Sequence, residues 1–166
     1  HSSRAPQARH TRKLAKPRRF NSSMVCSPFA NRERISSSSL REIAKGESVR
    51  TANGWVEIQL GTDAFLWMGE NGLLKAEEPD FTKTKMLIES GSILVEIHKH
   101  HKGNNITLRV NEATIEINKP GLYRLDSGDS QFRVFRGKAK IQQAGNTAIV
   151  KKGKSIVAIE VKSGYA

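Results

Sequence analysis

The feature that most constrains this chain is a short alternation of apolar and polar residues, repeated from residue 49 to residue 162. In WVEIQL, for example, Val56, Ile58 and Leu60 fall on one face of an extended strand, and Glu57 and Gln59 fall on the other. Glycine, asparagine, aspartate and proline interrupt the pattern about every eight to ten residues. Because side chains alternate across a strand with a period of two, the pattern predicts about a dozen short strands and no helix.

Individual segments refine this all-β prediction. AFLWM (residues 64–68) is unbroken and apolar, which is typical of a strand buried on both faces, whereas WVEIQL predicts a strand with one buried face. Residues 83–97 read as two strands joined at Ser90-Gly91, and residues 111–141 read as four more. Residues 40–48 (LREIAKGES) fit either a weak helical turn or a first strand followed by a turn at Gly46.

Positive charge divides the chain into two parts. The 166 residues carry a net charge of +12, with 28 Lys and Arg against 16 Asp and Glu. Twelve of these basic residues and only three of the acidic ones lie in residues 1–50. Residues 1–40 lack periodicity and end in the serine-rich ISSSS, so they predict a disordered basic tail and spacer. We expect an all-β domain over residues 41–162 and a flexible C-terminus over residues 163–166.

The basic tail suggests one class of partner. Clustered lysines and arginines attract phosphate-rich polymers through counterion release, without reading a base sequence. Phe20 is the one aromatic residue next to the cluster that could stack on a base. A solubilising arm is the alternative interpretation. The candidate residues for nucleic-acid or polyanion binding are Arg12, Lys13, Lys16, Arg18 and Arg19.

Residues 96–103 (EIHKHHKG) contain the pattern that most resembles a metal site. On a strand, Glu96, His98 and His100 would project from one face, roughly 7 Å apart. Imidazoles with this spacing can share a metal in a cupin-like enzyme, although His1 and His10 lie in the tail and supply no distant ligand. The alternative is a polar strand end that runs into a turn.

Other catalytic patterns are weaker still. The single cysteine, Cys26, excludes an internal disulfide and lies in the tail without a neighbouring histidine. Glu77-Glu78-Pro79-Asp80 reads as an acidic loop, and paired catalytic carboxylates would need a cleft. No glycine pattern fits a phosphate-binding loop. We therefore expect a protein that is not an enzyme and has no cofactor.

Five aromatic residues allow two interpretations. They can form a ligand-binding face, or they can pack into the core and its margins, which strand alternation favours. These residues are Trp55, Trp67, Tyr123, Phe132 and Phe135.

The order of several motifs resembles the FecR domain. GESVRT (residues 46–51) matches a Gly-x-x-Val-x-Thr opening that places Thr51 at the family's threonine. LIESGSILVEI (residues 87–97) resembles the strand-Gly-strand segment, followed by the polar insertion HKHHKGNN. ATIEINKPGLYRLD (residues 113–126) is similar to the hairpin of a subgroup that carries Gly-Leu-Tyr-Arg, and VFRGKAKI and VKKGKSIVAI resemble the closing units. The resemblance covers about 115 residues, from Gly46 to Glu160.

This resemblance implies a β-sandwich or a short β-solenoid, a jelly-roll-like stack of hairpins without catalytic residues. The best-known FecR domains lie outside the cytoplasmic membrane and relay a signal to a sigma factor through a membrane-spanning helix. No stretch of 18 apolar residues precedes the domain and no cytoplasmic regulatory segment is recognisable in residues 1–40, so sigma-factor control is not carried over. A secretory signal is not evident in this sequence either. The resemblance implies a periplasmic or extracytoplasmic bacterial module for regulation that binds a protein or an envelope polymer.

Such a module would bind through an open strand edge. An exposed edge can accept a strand from a partner, and we expect one near Val49 to Thr51 or near the C-terminal strand. The C-terminal candidates are Ser155, Ile156, Val157, Ala158 and Ile159. Lysines at positions 151, 152, 154 and 162 would keep this edge from aggregating.

Overall fold

The computed structural model describes residues 24–27 and 41–156, and these residues form strands and turns without a helix. The all-β prediction is therefore confirmed. The strands are β1 (Met24–Ser27), β2 (Arg41–Ile43), β3 (Ser48–Arg50), β4 (Val56–Gly61), β5 (Ala64–Met68), β6 (Leu73–Asp80), β7 (Lys83–Ser90), β8 (Ser92–Ile97), β9 (Asn105–Val110), β10 (Ala113–Ile117), β11 (Gly121–Asp126), β12 (Gln131–Arg136), β13 (Lys138–Gln143), β14 (Asn146–Lys151) and β15 (Lys154–Ile156).

The strands form two sheets that share one hydrophobic core. The eight-stranded sheet has the order β15-β12-β11-β8-β5-β4-β1-β2, and the seven-stranded sheet has the order β14-β13-β10-β9-β7-β6-β3. Hairpins alternate between them: β4–β5 and β11–β12 lie in the first sheet, and β6–β7, β9–β10 and β13–β14 lie in the second. The alternating apolar residues of both sheets point inward and are buried together. The predicted stack of hairpins is thus a two-layer β-sandwich.

Among the strands of the described residues, one pair is parallel. β7 pairs with β9 in parallel, with Met86 opposite Leu108, whereas the other strand pairs are antiparallel. Parallel neighbours need a crossover connection because the chain must return to the same end of the sheet. Here β8 provides this crossover, since the chain leaves the seven-stranded sheet after β7, adds β8 to the other sheet and comes back as β9.

Burial corrects two details of the sequence prediction. β4 was expected to have one buried face, but all six of its residues are buried, including Glu57 and Gln59. β5 was expected to be buried on both faces, but its residues alternate between buried and half-buried. The strand register explains both differences in burial. Trp67 and Phe65 of β5 lie directly opposite Glu57 and Gln59, so their rings shield the polar residues of β4 on the same face.

The N-terminal region also differs from the expectation in part. The prediction of disorder over residues 1–40 is wrong for Met24–Ser27, which form β1 between β2 and β4, since an extended four-residue segment can satisfy the open edge of β4. The rest of that segment lies outside the described residues. Of the segment 40–48, the described residues 41–48 contain strand rather than helix: β2 and β3 flank a turn in which Gly46 takes a left-handed φ of 84°.

Candidate interaction surfaces

Among the described residues, four strands lie at the edges of the sheets. β15 and β2 end the eight-stranded sheet, and β14 and β3 end the seven-stranded sheet. Ser155 and Ile156 of the predicted C-terminal edge lie in β15, and the second predicted edge, near Val49, is β3. Val157, Ala158 and Ile159 lie outside the described residues. Binding of a partner at either edge stays a prediction.

The β15 edge combines a buried anchor with open backbone. Ile156 is 2% exposed and packs into the core, whereas Ser155 and Lys154 are exposed. β15 pairs with β12 on one side, with Arg133 opposite Ser155. In the part of the chain that the structure describes, no strand pairs with its other side. The backbone groups on that side can therefore accept the strand of another molecule.

Lysines surround this edge. Lys151, Lys152 and Lys154 are exposed, and Lys151 lies directly opposite Lys138 in the β13–β14 ladder. Within residues 41–156 none of these four lysines forms an ion pair. Like charges repel another lysine-rich edge, so this arrangement disfavours self-association and favours a partner that carries negative charge. Lys162, the other lysine that the sequence assigns to this edge, lies outside the described residues.

The structure brings together only part of the predicted metal-binding group. Glu96 Oε1 lies 3.7 Å from His98 Nε2, and Glu96 Oε2 also accepts a hydrogen bond from Arg136 at 3.3 Å. His100 instead lines a cavity of about 20 Å³ at one end of the sandwich, beside Asp63. In residues 24–27 and 41–156, no three His, Cys, Asp or Glu side chains are arranged to hold a metal ion.

The histidine with the shortest side-chain contact is one that the sequence analysis did not select. His101 Nε2 lies 2.6 Å from Asp63 Oδ2, so the imidazole joins the β4–β5 turn to the polar segment after β8. The two residues are 38 positions apart, and no spacing rule connects them. Only the sheet arrangement, which sets β5 beside β8, brings them together.

The aromatic residues divide between core and surface. Tyr123 and Phe132 are buried, and their rings stack with centroids 6.3 Å apart. Trp55 and Phe135 are exposed by 37% and 38%. Trp67 is half-buried on the outer face of the eight-stranded sheet, where it stacks on Phe65 at 6.1 Å. The five residues therefore do not form one ligand face, because two of them belong to the core.

Thr51, the threonine of the Gly-x-x-Val-x-Thr opening, closes a buried turn. Its hydroxyl donates a hydrogen bond to the carbonyl of Gly69 at 2.6 Å and accepts one from the amide of Gly72 at 2.7 Å. Its own amide donates to the carbonyl of Gly72 at 2.9 Å. The side chain is almost inaccessible, so these bonds satisfy backbone groups that water does not reach. The motif has a structural role here.

The Gly-Leu-Tyr-Arg motif has a similar structural role. Tyr123 Oη donates to the carbonyl of Lys119 at 2.8 Å and accepts from the amide of Lys138 at 3.2 Å, which ties β11 to the start of β13. Gly137 touches the same hydroxyl: a Cβ there would lie 2.1 Å from Tyr123 Oη, and its φ is +100°. A Cβ on Gly121 would lie 2.1 Å from the carbonyl oxygen of Arg136. Burial raises the pKa of Tyr123, against the lowering effects of the Lys138 amide and Arg136.

The acidic segment is part of a strand rather than a loop. Glu77, Glu78, Pro79 and Asp80 form the second half of β6, where a register irregularity between Ala76 and Glu78 sets Glu77 out of step with β7. A bulge of this kind redirects a side chain, which a loop prediction from composition misses. Glu77 accepts two hydrogen bonds from Arg109, at 2.9 and 2.7 Å. This pairing, more than the nearby lysines, lowers the pKa of Glu77.

Comparison with known proteins supports the fold. No protein-family model matches the chain, and no curated protein matches it. Two crystal structures, both described as a candidate anti-sigma factor from Parabacteroides distasonis, superpose with a TM-score of 0.56 at 9% and 10% sequence identity. Each superposition covers 66% of this chain and 53% of the other, so the chain spans about half the length of these proteins. At such identity the likeness establishes a shared β-fold.

Three further sequence predictions concern a membrane-spanning segment, the basic tail and Cys26. Within the described residues, the structure has no helix that is long and apolar enough to cross a membrane. The tail residues that the sequence assigns to polyanion binding, from Arg12 to Arg19, lie outside the described residues. Cys26 lies in β1, although nothing is described of its side chain.

Proposed function

We propose that this chain is a non-catalytic regulatory module of FecR type that acts by binding a protein partner. Two kinds of support converge: the motif order resembles the FecR domain, and the fold is shared with proteins described as candidate anti-sigma factors. The distinctive motif residues Thr51 and Tyr123 bond to backbone groups inside the fold. A partner would therefore bind at the outer surface of the module or at its strand edges. By the same resemblance, we place it outside the cytoplasmic membrane of a bacterium.

The observation that carries this proposal is the exposed β15 edge. Ile156 holds β15 against the core while Ser155 stays open, so the edge is already an extended strand before a partner arrives. A preformed strand lowers the entropy that strand addition costs. Backbone hydrogen bonds would supply affinity, and the exposed lysines would select a partner strand with acidic side chains.

A pull-down from an envelope extract of the source organism tests this edge. The full-length chain serves as bait beside variants lacking residues 155–162 or carrying Ser155→Pro. Proline removes a backbone donor at an exposed position without touching the buried Ile156, and Ser155→Ala is its matched control. We expect capture of one discrete protein by the native chain and by Ser155→Ala. Capture that persists in the truncated chain and in Ser155→Pro, the latter with an unchanged thermal unfolding midpoint, would exclude this edge.

A further inference from the structure

The outer face of the seven-stranded sheet carries a groove with an excess of positive charge. It runs from the β2–β3 turn across β6, β7 and β9, and we call it the basic groove. Five cationic side chains and two carboxylates line it. They are Lys45, Lys75, Lys83, Lys85 and Arg109, with Glu77 and Glu78.

The two carboxylates balance two of the five positive charges and leave an excess of three. Glu77 is held by Arg109 through two hydrogen bonds, so that pair is nearly neutral toward a ligand. Glu78 is then the remaining carboxylate for four lysines, and its register partner is Lys85. Within the described residues none of the four lysines forms an ion pair. An anionic ligand would relieve their mutual repulsion.

The groove continues into a surface of hydroxyl and amide groups. Asn105, Thr107 and Thr114 line this continuation, together with Glu116, whose carboxylate lies 3.3 Å from Lys140. Glu78, Lys83 and Lys85 border both parts, so the two form one continuous surface. Adjacent strands lie about 4.8 Å apart, so the four strands β6, β7, β9 and β10 span roughly 14 Å, the length of about three sugar units.

We propose that the basic groove binds an anionic polysaccharide. Lysines would meet its carboxylate, sulfate or phosphate groups, and threonine and asparagine would hydrogen-bond to sugar hydroxyls. Among the described residues that line the groove, no aromatic ring is available to stack on the bases of a nucleic acid. None of these side chains is a large apolar anchor, of the kind that the centre of a protein–protein interface uses.

This inference goes beyond the proposed function because it concerns a second surface. The basic groove lies on the seven-stranded sheet, and β15 belongs to the other sheet. Loss of partner capture in the edge variants therefore leaves glycan binding intact, and the reverse also holds. A polymer held in the groove would keep the module at the envelope while β15 engages a protein.

Binding of defined polymers to the full-length chain tests the basic groove. To remove the contribution of the basic tail, all proteins carry glutamine at positions 12, 13, 16, 18 and 19. Fluorescently labelled polygalacturonate, neutral dextran of equal length, an oligo-dT and polyglutamate are compared by anisotropy. We expect polygalacturonate to bind most tightly, dextran not to bind, and affinity for polygalacturonate to fall with added salt.

Variants then locate the site. Lys75→Glu with Lys85→Glu should weaken polygalacturonate binding at least about tenfold, whereas Lys75→Arg with Lys85→Arg should retain it. The matched control is Lys102→Glu with Lys119→Glu, an equal charge change at exposed turn positions outside the groove. Thr107→Val should weaken polygalacturonate a few-fold and leave polyglutamate unchanged. Equal losses in the groove and control variants would overturn the proposal, as would tighter binding of oligo-dT or polyglutamate, or no polygalacturonate binding.

Discussion

At the scale of single residues, the motif positions hold the fold together. Thr51 and Tyr123 each bond through their hydroxyls to backbone groups that come from distant points of the chain. Gly121 and Gly137 allow the backbone to approach where a methyl group would collide. The motif residues therefore stabilise the packing of this sandwich, and substitutions at these positions should change its stability.

Thr51→Val should destabilise the fold by about 2–4 kcal/mol. Valine has nearly the same shape but leaves the Gly69 carbonyl and the Gly72 amide without the hydroxyl that now bonds to both. Thr51→Ser keeps the hydroxyl and should cost no more than about 1 kcal/mol. Urea unfolding measures both values, and equal losses in the two variants would show that the hydroxyl has no such role.

Gly121→Ala should cost at least about 3 kcal/mol, because the added Cβ would meet backbone rather than a movable side chain. The nearest atom is the Arg136 carbonyl oxygen, at 2.1 Å. Gly128→Ala is the matched control: it has open space around its Cβ position and should change stability by no more than about 0.5 kcal/mol. Thermal and urea unfolding of both variants provide the comparison, and a tolerated Gly121→Ala would argue against this close approach of β11 and β12.

Tyr123 should make the fold sensitive to alkali. Burial raises its pKa in the folded chain, so the neutral hydroxyl stabilises the fold fully below the ordinary pKa of about 10. This contribution is lost as the pH rises through the raised folded pKa, because a phenolate cannot donate to the Lys119 carbonyl. Unfolding free energies from pH 8 to 11 should fall more steeply for the native chain than for Tyr123→Phe. Parallel curves for the two proteins would contradict the assignment.

At the scale of elements, two ion pairs of the described residues bridge strands that are not neighbours, and the shorter one joins Glu77 to Arg109. Glu77 on β6 reaches Arg109 on β9, and β7 lies between these strands. The bulge in β6 makes this reach possible by turning Glu77 out of register. The pair therefore reinforces the region around the one parallel contact of the sandwich.

Glu77→Gln should destabilise the fold by roughly 0.5–1 kcal/mol at neutral pH, as expected for a partly exposed pair. Because Arg109 lowers the pKa of Glu77 in the folded chain, this contribution is present above the ordinary glutamate pKa and is lost as the pH falls through the lowered value. The difference between native and variant stability should therefore vanish in acid. Glu89→Gln, at an exposed position on β7, is the control. A difference that does not change between pH 7 and pH 3 would contradict this account.

At the scale of the whole molecule, alternation predicts strands better than it predicts their partners. The turn at Ser90-Gly91 falls where the sequence indicates. A period of two identifies the buried face of a strand, but it does not identify the strand that pairs with it. The assignment of strands to sheets therefore cannot be predicted from alternation. The parallel pairing of β7 and β9 was unpredictable for this reason. Likewise, the contact between His101 and Asp63 exists only once β5 lies beside β8.

The two candidate binding surfaces also differ in how far the sequence predicts them. The C-terminal edge was predictable because lysines, which are typical of edge strands, flank Ser155 and Ile156 in the sequence. The basic groove was not, because its lysines come from β6, β7 and the β2–β3 turn, and the sequence shows no local cluster of charge there. The distribution of charge along the sequence indicated a positive surface in the tail alone. Folding brings distant lysines together into a second positive surface on the domain.

We propose that this sandwich regulates by accepting a partner strand at β15. Amide hydrogen exchange of the full-length chain, alone and with the protein that it captures, tests this role. We expect the partner to slow exchange at Lys154, Ser155 and Ile156, while amides of β3 at the far edge of the other sheet keep their rates. Unchanged exchange in β15 together with protection elsewhere on the sandwich would contradict it.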